Sequence, residues 1–375
     1  HSRTDQKREE GSCLMETSNL KKFAQEARRS LINQTSSKLK QVLKTDSEAA
    51  RTNPEALRKL NELIAGTSKE YVVERVAYIW FNRFCALRFM DVNHYTSIGI
   101  VSPASDQTQP EILADAKMGH IDDRIVEDEK RRKNIHEILV GSSKSDDPQS
   151  EAYRLLLISA CDYYHSMMPF LFERIDDYTA LLMPEDLLSQ NSILTKTREV
   201  LTEETCRDVE VIGWLYQFYI SEKKDEVFAG LKKNKKITPE NIPAATQLFT
   251  PHWIVRYLVE NSLGRLWMLN NPSSKLTESM DYCIKPEEQQ EEFLKVNSPE
   301  EIRICDPACG SGHMLTYAFD LLYRIYEEEG YDASEIPSKI LQNNLYGVEI
   351  DERAGELAAF ALTMKAREKQ RTFFS

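Results

Sequence analysis

The residues whose types and spacing could do chemistry lie in ICDPACGSGHML (304–315) and NLYGVEIDERA (344–354). The first stretch runs as a short apolar strand into Asp306, turns through Gly310 and Gly312, and opens a helical pattern. In open α/β sheets, ligands bind beyond the carboxyl ends of the strands. Glycine at such a turn can take positive φ and lets the backbone approach a ligand closely, while the helix that follows offers free amide groups. A ligand with a nucleoside and an anionic or zwitterionic tail suits that cradle. The second stretch ends its strand pattern in Tyr346-Gly347-Val348-Glu349. An acid at the tip of the second strand commonly hydrogen-bonds ribose hydroxyls, which makes Glu349 the candidate for that role.

Two phosphate-binding patterns fail here. The P-loop needs Gly-Lys-Ser/Thr, and Gly312 is followed by His313. The dinucleotide fingerprint needs a third glycine where Leu315 stands, and an acid about 20 residues on, whereas the acids here are Asp306 and Glu349. A nicotinamide dehydrogenase is therefore a poor reading. Cys305 and Cys309 lack a second pair nearby, so they read as thiols rather than metal ligands. His252 and His313 read as polar helix starts rather than catalysts.

DPACGSGHML closely resembles the S-adenosylmethionine-binding motif of DNA adenine-N6 methyltransferases. NLYGVEIDERA resembles their second cofactor motif, and QLFTPHWIVRYLVENSL (247–263) looks like the third, which precedes the glycine loop in this subclass. The resemblance implies S-adenosyl-L-methionine as cofactor, flanked by Gln247, Phe249, Thr250 and Pro251. It implies that Asp306 faces the amino-acid moiety, directly or through water. Backbone from Ala308 through Cys309, Gly310, Ser311 and Gly312 would line the methionine part, with Glu349 on the ribose. Further segments, WFNRFCALRFMDV (80–92), QTQPEILADAKMG (107–119) and VEVIGWLYQFYISEKKDEVF (209–228), are similar to PglX-type methyltransferases of BREX phage-defence systems. That family implies a bacterial cytoplasmic enzyme acting on adenine N6 of double-stranded DNA, with other phage-defence proteins as partners.

Adenine methylation also needs a site that holds the flipped base. The family supplies it with an Asn/Asp-Pro-Pro-aromatic motif. Asn53-Pro54-Glu55 and Asn271-Pro272-Ser273 do not match it. The chain is therefore expected to be an N-terminal fragment that is inactive alone, without the catalytic motif or a target-recognition domain. The alternative is a non-catalytic cofactor-sensing or DNA/protein-binding module of a defence complex. A parallel sheet stopped after two strands is also expected to leave Phe360, Leu362, Met364, Phe373 and Phe374 without partners.

The elements that must position this site follow a long helical region. The fold expected is a mainly α N-terminal region followed by a partial α/β Rossmann-like methyltransferase domain. Residues 1–14 are tag-like or unassigned, 15–240 form the helical domain, and 241–375 form the first part of the catalytic domain. Leu20, Phe23, Ala24, Ala27, Leu31 and Ile32 share a helix face. Pro54 opens a second helix, and Ser68 caps a third that is apolar almost all round. The aromatic stripe from Tyr71 to Phe89 reads as core. Residues 100–150 read as connections with one or two short helices, and helices resume over 151–173 and 206–231. Thr250 is the expected cap of a helix with Pro251 in its first turn.

No apolar run approaches the roughly 20 residues of a membrane span, and HSRTDQKREE is not a signal peptide. Seven scattered cysteines suit a reducing compartment. The net charge of -12 argues against gripping DNA by bulk charge. Lys223, Lys224, Lys232, Lys233, Lys235 and Lys236 form the one local basic cluster, either a solvated helix end or a phosphate contact.

Overall fold

The computed structural model describes residues 3–374 apart from 106, 174–177, 239–240, 249 and 285–291, with side chains described from 17 onward except at 48. The expected cofactor residue Phe249 lies outside the described residues. Two compact units divide at Val211 and Ile212, so the boundary expected between 240 and 241 falls inside the second.

The first unit is helical: α1 (Arg3–Val42), α2 (Glu48–Thr52), α3 (Pro54–Gly66), α4 (Lys69–Val92), α5 (Glu111–Lys117), α6 (Glu129–Leu139), α7 (Pro148–His165), α8 (Tyr178–Leu181) and α9 (Ile193–Val200). The stripe on α1 buries Leu20, Phe23, Ala24, Ala27 and Leu31, then continues through Thr35 and Leu39, with Ile32 only half-buried. The helix starts at Arg3, inside the stretch 1–14 read from the sequence as tag-like or unassigned. Pro54 opens α3, where its missing N–H costs nothing. Ser68 caps α4, its hydroxyl accepting the Tyr71 amide at 3.0 Å. Tyr71 itself is exposed, because it sits in the first turn; the aromatic residues from Tyr78 to Phe89 are buried. The helix expected over 151–173 stops at His165, since Pro169 cannot continue it.

Polar side chains on α4 tie the loops to this core. Asp91 accepts the amides of Ile100 at 3.1 Å, Val101 at 2.9 Å and Ser102 at 2.9 Å, and the Thr96 hydroxyl at 2.9 Å. Burial pushes its carboxyl above the usual range, and these four bonds pull it back. Arg88 donates to Leu201 O and Ser102 Oγ, and Arg83 to Leu171 O and Glu173 O.

The second unit takes α10 (Glu210–Leu231) from Ile212 onward, then α11 (Ile242–Thr246), α12 (His252–Val259), α13 (Arg265–Asn270), β1 (Ile304–Asp306), α14 (His313–Glu328), α15 (Ile336–Asn343), β2 (Leu345–Gly347) and α16 (Glu352–Lys369). Strands β1 and β2 pair in parallel, with Ile304 opposite Leu345, Cys305 opposite Tyr346 and Asp306 opposite Gly347. Among the described residues this is the whole sheet, so what is observed is a helical unit around a two-stranded parallel ribbon.

Asn344, fully buried, sets the start of both strands. Its side chain donates to Pro299 O at 2.7 Å and Ile302 O at 2.8 Å and accepts the Tyr326 hydroxyl at 3.0 Å, while its carbonyl accepts the Ile304 amide. α14 packs against α12, α15, α16 and β2.

Two expectations are corrected here. Phe360 and Met364 are fully buried, and Leu362 and Phe373 pack against the core, because α16 lies along α14 and α15. Phe374 stacks edge-on with Phe373 under the Arg367 guanidinium. Thr250 is not the cap of α12. Pro251 takes that place at φ -53°, ψ 141°, and its carbonyl accepts the Ile254 and Val255 amides. The ring fixes φ near that value, so the proline itself ends the extended approach. Among the described residues, no helix is long and apolar enough to cross a membrane.

Candidate functional site

The turn after β1 closes on itself. The Asp306 carboxylate accepts the Ala308 amide at 3.1 Å through Oδ1, and its backbone carbonyl accepts the Val348 amide at 2.9 Å. The Cys309 amide donates back to Val348 O at 3.1 Å, so the two strand ends are laced together beyond the sheet. Glu349 lies two residues past the end of β2 and clamps the loop. Its Oε2 accepts the Gly310 amide at 2.7 Å and its Oε1 the Asp351 amide at 2.9 Å.

The glycines divide their work. Gly310 has φ +53°, and a Cβ there would meet only Gln247 Nε2, at 4.0 Å. Its backbone faces open space. Gly312 has φ +90°, and a Cβ there would stand 2.9 Å from the Ala358 Cβ. It lets α16 approach the loop. At Gly347 a Cβ would meet Leu315 and Cys309, so that glycine also serves packing.

Seven of the expected residues line one pocket: Gln247, Thr250, Asp306, Ala308, Cys309, Gly310 and Ser311. Pro251, Gly312 and Glu349 are not among its lining residues; Glu349 holds the Gly310 amide, and Gly312 packs against Ala358. The segment carrying Gln247 and Thr250 is held on both sides. Lys224 of α10 donates to Gln247 O at 2.6 Å. Beyond α12, the fully buried Glu260 accepts the Tyr317 hydroxyl of α14 and the Tyr282 amide, both at 2.6 Å.

Sequence reasoning missed five further lining residues: Gly213 and Gln217 of α10, Leu248 beside Gln247, and His313 and Met314 of α14. A lone glycine among the bulky residues of 209–228 was the available signal for the first. His313 Nε2 lies 3.1 Å from Ser311 Oγ at the start of α14. Burial pushes the Cys309 thiol up to about 11, and the carboxylates of Asp306 and Glu349 push it the same way. At neutral pH it is a neutral lining group, not a nucleophile. No group of side chains among the described residues could hold a metal ion.

The pocket can therefore take a ligand that meets an open glycine backbone, a carboxylate with one oxygen to spare, and the first-turn amides of α14. Residues 285–374 match the family of the MmeI DNA-methyltransferase domain. The chain is 43% identical over 310 residues to the adenine-specific methyltransferase BrxX of Escherichia coli, an alignment covering 80% of this chain and 25% of that protein. It is 35% identical over 412 residues to the adenine-specific methyltransferase PglX of Lacticaseibacillus casei, covering 96% of this chain and 33% of that protein. A putative type II restriction enzyme and methyltransferase of Methanocaldococcus jannaschii is 29% identical over 171 residues, 43% of this chain and 14% of that protein. The chain thus spans between 25% and 33% of the length of the first two relatives.

Proposed function

Because the chain belongs to the PglX-type family of adenine-specific methyltransferases, we propose that it carries the S-adenosylmethionine-binding part of a DNA adenine-N6 methyltransferase. The observation that carries this reading is the meeting of two separate segments in one pocket. Gln247 and Thr250 come from before α12, and Asp306, Ala308, Cys309, Gly310 and Ser311 from the turn between β1 and α14.

The residues fit that cofactor. Gly310 offers backbone with nothing but Gln247 opposite it. Asp306 spends Oδ1 on the Ala308 amide and keeps Oδ2 for an ammonium group or a bridging water. Glu349 holds two amides, one on each oxygen, and a carboxylate oxygen has a second lone pair that a ribose hydroxyl can use. Bound there, the cofactor supplies an electrophilic methyl group on a sulfonium. The protein's part is to orient it and to keep its charged ends satisfied. The paired strands are, on this reading, the start of a Rossmann-like sheet.

No residue of this chain is assigned the role of holding the target amine, since no Asn/Asp-Pro-Pro-aromatic segment occurs in it. Double-stranded DNA as substrate and a place in phage defence, in the bacterial cytoplasm beside other defence proteins, belong to the same proposal. The chain by itself should bind cofactor without methylating DNA.

Titration calorimetry with S-adenosylmethionine tests this, with Asp306→Ala as control. Saturable binding that the variant loses supports the reading. A folded wild-type chain that takes up no cofactor overturns it, and so does transfer of labelled methyl groups to an unmodified duplex for the claim of inactivity.

A further inference from the structure

Gly213 is an expensive residue where it stands. It lies early in α10 among Trp214, Leu215 and Tyr216, and glycine inside a helix costs about 1 kcal/mol relative to alanine. The structure supplies a reason. A Cβ at Gly213 would come within 2.6 Å of Ser311 Oγ and 2.8 Å of the Cε1 and Nε2 atoms of His313. Ser311 is buried and its hydroxyl is paired with that same ring, so neither can swing aside alone. The missing side chain lets the helix backbone close directly on the glycine loop.

The same helix reaches the pocket again one turn later. Gln217 lines it beside Gln247, Thr250 and Asp306, and its amide has no hydrogen-bond partner among the described residues. Tyr216, between them, donates to the buried carboxylate of Asp351, which caps α16 just after Glu349. Lys224 fixes the backbone of Gln247. One helix thus touches the Ser311–His313 turn, the Gln247 segment and the Asp351 corner.

We propose that α10 is a wall of the cofactor pocket. Gly213 sets the spacing between helix and loop, and the Gln217 amide hydrogen-bonds the amino-acid end of the cofactor. This rests on the reading of the pocket given above. An amide both donates and accepts, which suits an ammonium and a carboxylate side by side. Gly213 is a positioning residue; Gln217 is a contact.

The test uses the full chain and two ligands, S-adenosylmethionine and 5′-methylthioadenosine, which lacks the amino-acid end. Gln217→Ala should bind S-adenosylmethionine about tenfold more weakly, bind methylthioadenosine as the wild type does, and melt at the wild-type temperature. Gly213→Ala should weaken both ligands, because its Cβ moves the loop. Wild-type affinity for S-adenosylmethionine in Gln217→Ala overturns the proposal, as does an equal loss for both ligands. If Gly213→Ala does not fold, Gln217→Ala decides alone. Failure of the wild type to bind either ligand overturns the pocket reading itself, and the role of α10 with it; binding by the wild type with no effect in Gln217→Ala overturns only the latter.

Discussion

Glu349 is where one side chain decides most. Its two oxygens hold the Gly310 and Asp351 amides, so the same carboxylate shapes the glycine loop and the start of α16. The ribose role proposed for it would come in addition to that structural one. Glu349→Gln replaces one acceptor with a donor, which must then face a backbone N–H. The variant should lose about 1–2 kcal/mol of stability in denaturant unfolding and most of its S-adenosylmethionine affinity in calorimetry. Unchanged stability would mean that the loop holds its shape without the clamp. That Asp306 lines the pocket agrees with its place at the end of the β1 pattern. Its use of one oxygen on its own turn was not legible in the sequence, because that bond depends on where the chain goes after Pro307.

At the scale of elements, helix starts were legible wherever the capping chemistry is local. Ser68 caps α4 and Pro54 opens α3 as their types dictate. Thr250 was misread because the proline after it can also end an extended segment. Arg83, Arg88 and Asp91 of α4 had a signal in the sequence, polar residues inside a helix apolar on every side, but no partner could be assigned to them. The structure gives Asp91 three consecutive amides in the 96–102 loop. Asp91→Ala leaves those donors buried and unpaired, and should destabilise the first unit by about 3 kcal/mol. Amide hydrogen exchange at Ile100, Val101 and Ser102 should rise in that variant before exchange in the core of α4. Exchange at the wild-type rate would show that the loop is held by packing instead.

For the whole molecule, charge and the basic cluster pull in opposite directions. The net charge is -12, while Lys232, Lys233, Lys235 and Lys236 are all exposed. Lys224 is already spent on Gln247 and on the Phe228 ring. Four exposed lysines on an acidic protein give too few phosphate contacts to outweigh its general repulsion. Non-specific duplex binding should be weaker than about 10⁻⁴ M at physiological salt. A filter-binding assay showing micromolar retention, lost when the four lysines become alanine, would assign this segment to DNA instead.

The sequence by itself determined the helical character of residues before 240, the strand–turn–helix at 304–315, its repeat at 345–352 and the family. These follow from short-range preferences: apolar period, caps, and glycine where φ turns positive. Tertiary structure alone decided which glycine stands open and which is packed, Gly310 against Gly312 and Gly347. It also decided that Phe360 and Met364 are covered, and that α10 stands against the loop through Gly213. Each of these is a meeting of surfaces far apart in the chain. Such meetings are fixed by close packing and by the pairing of buried polar groups, and no local pattern of residues encodes them.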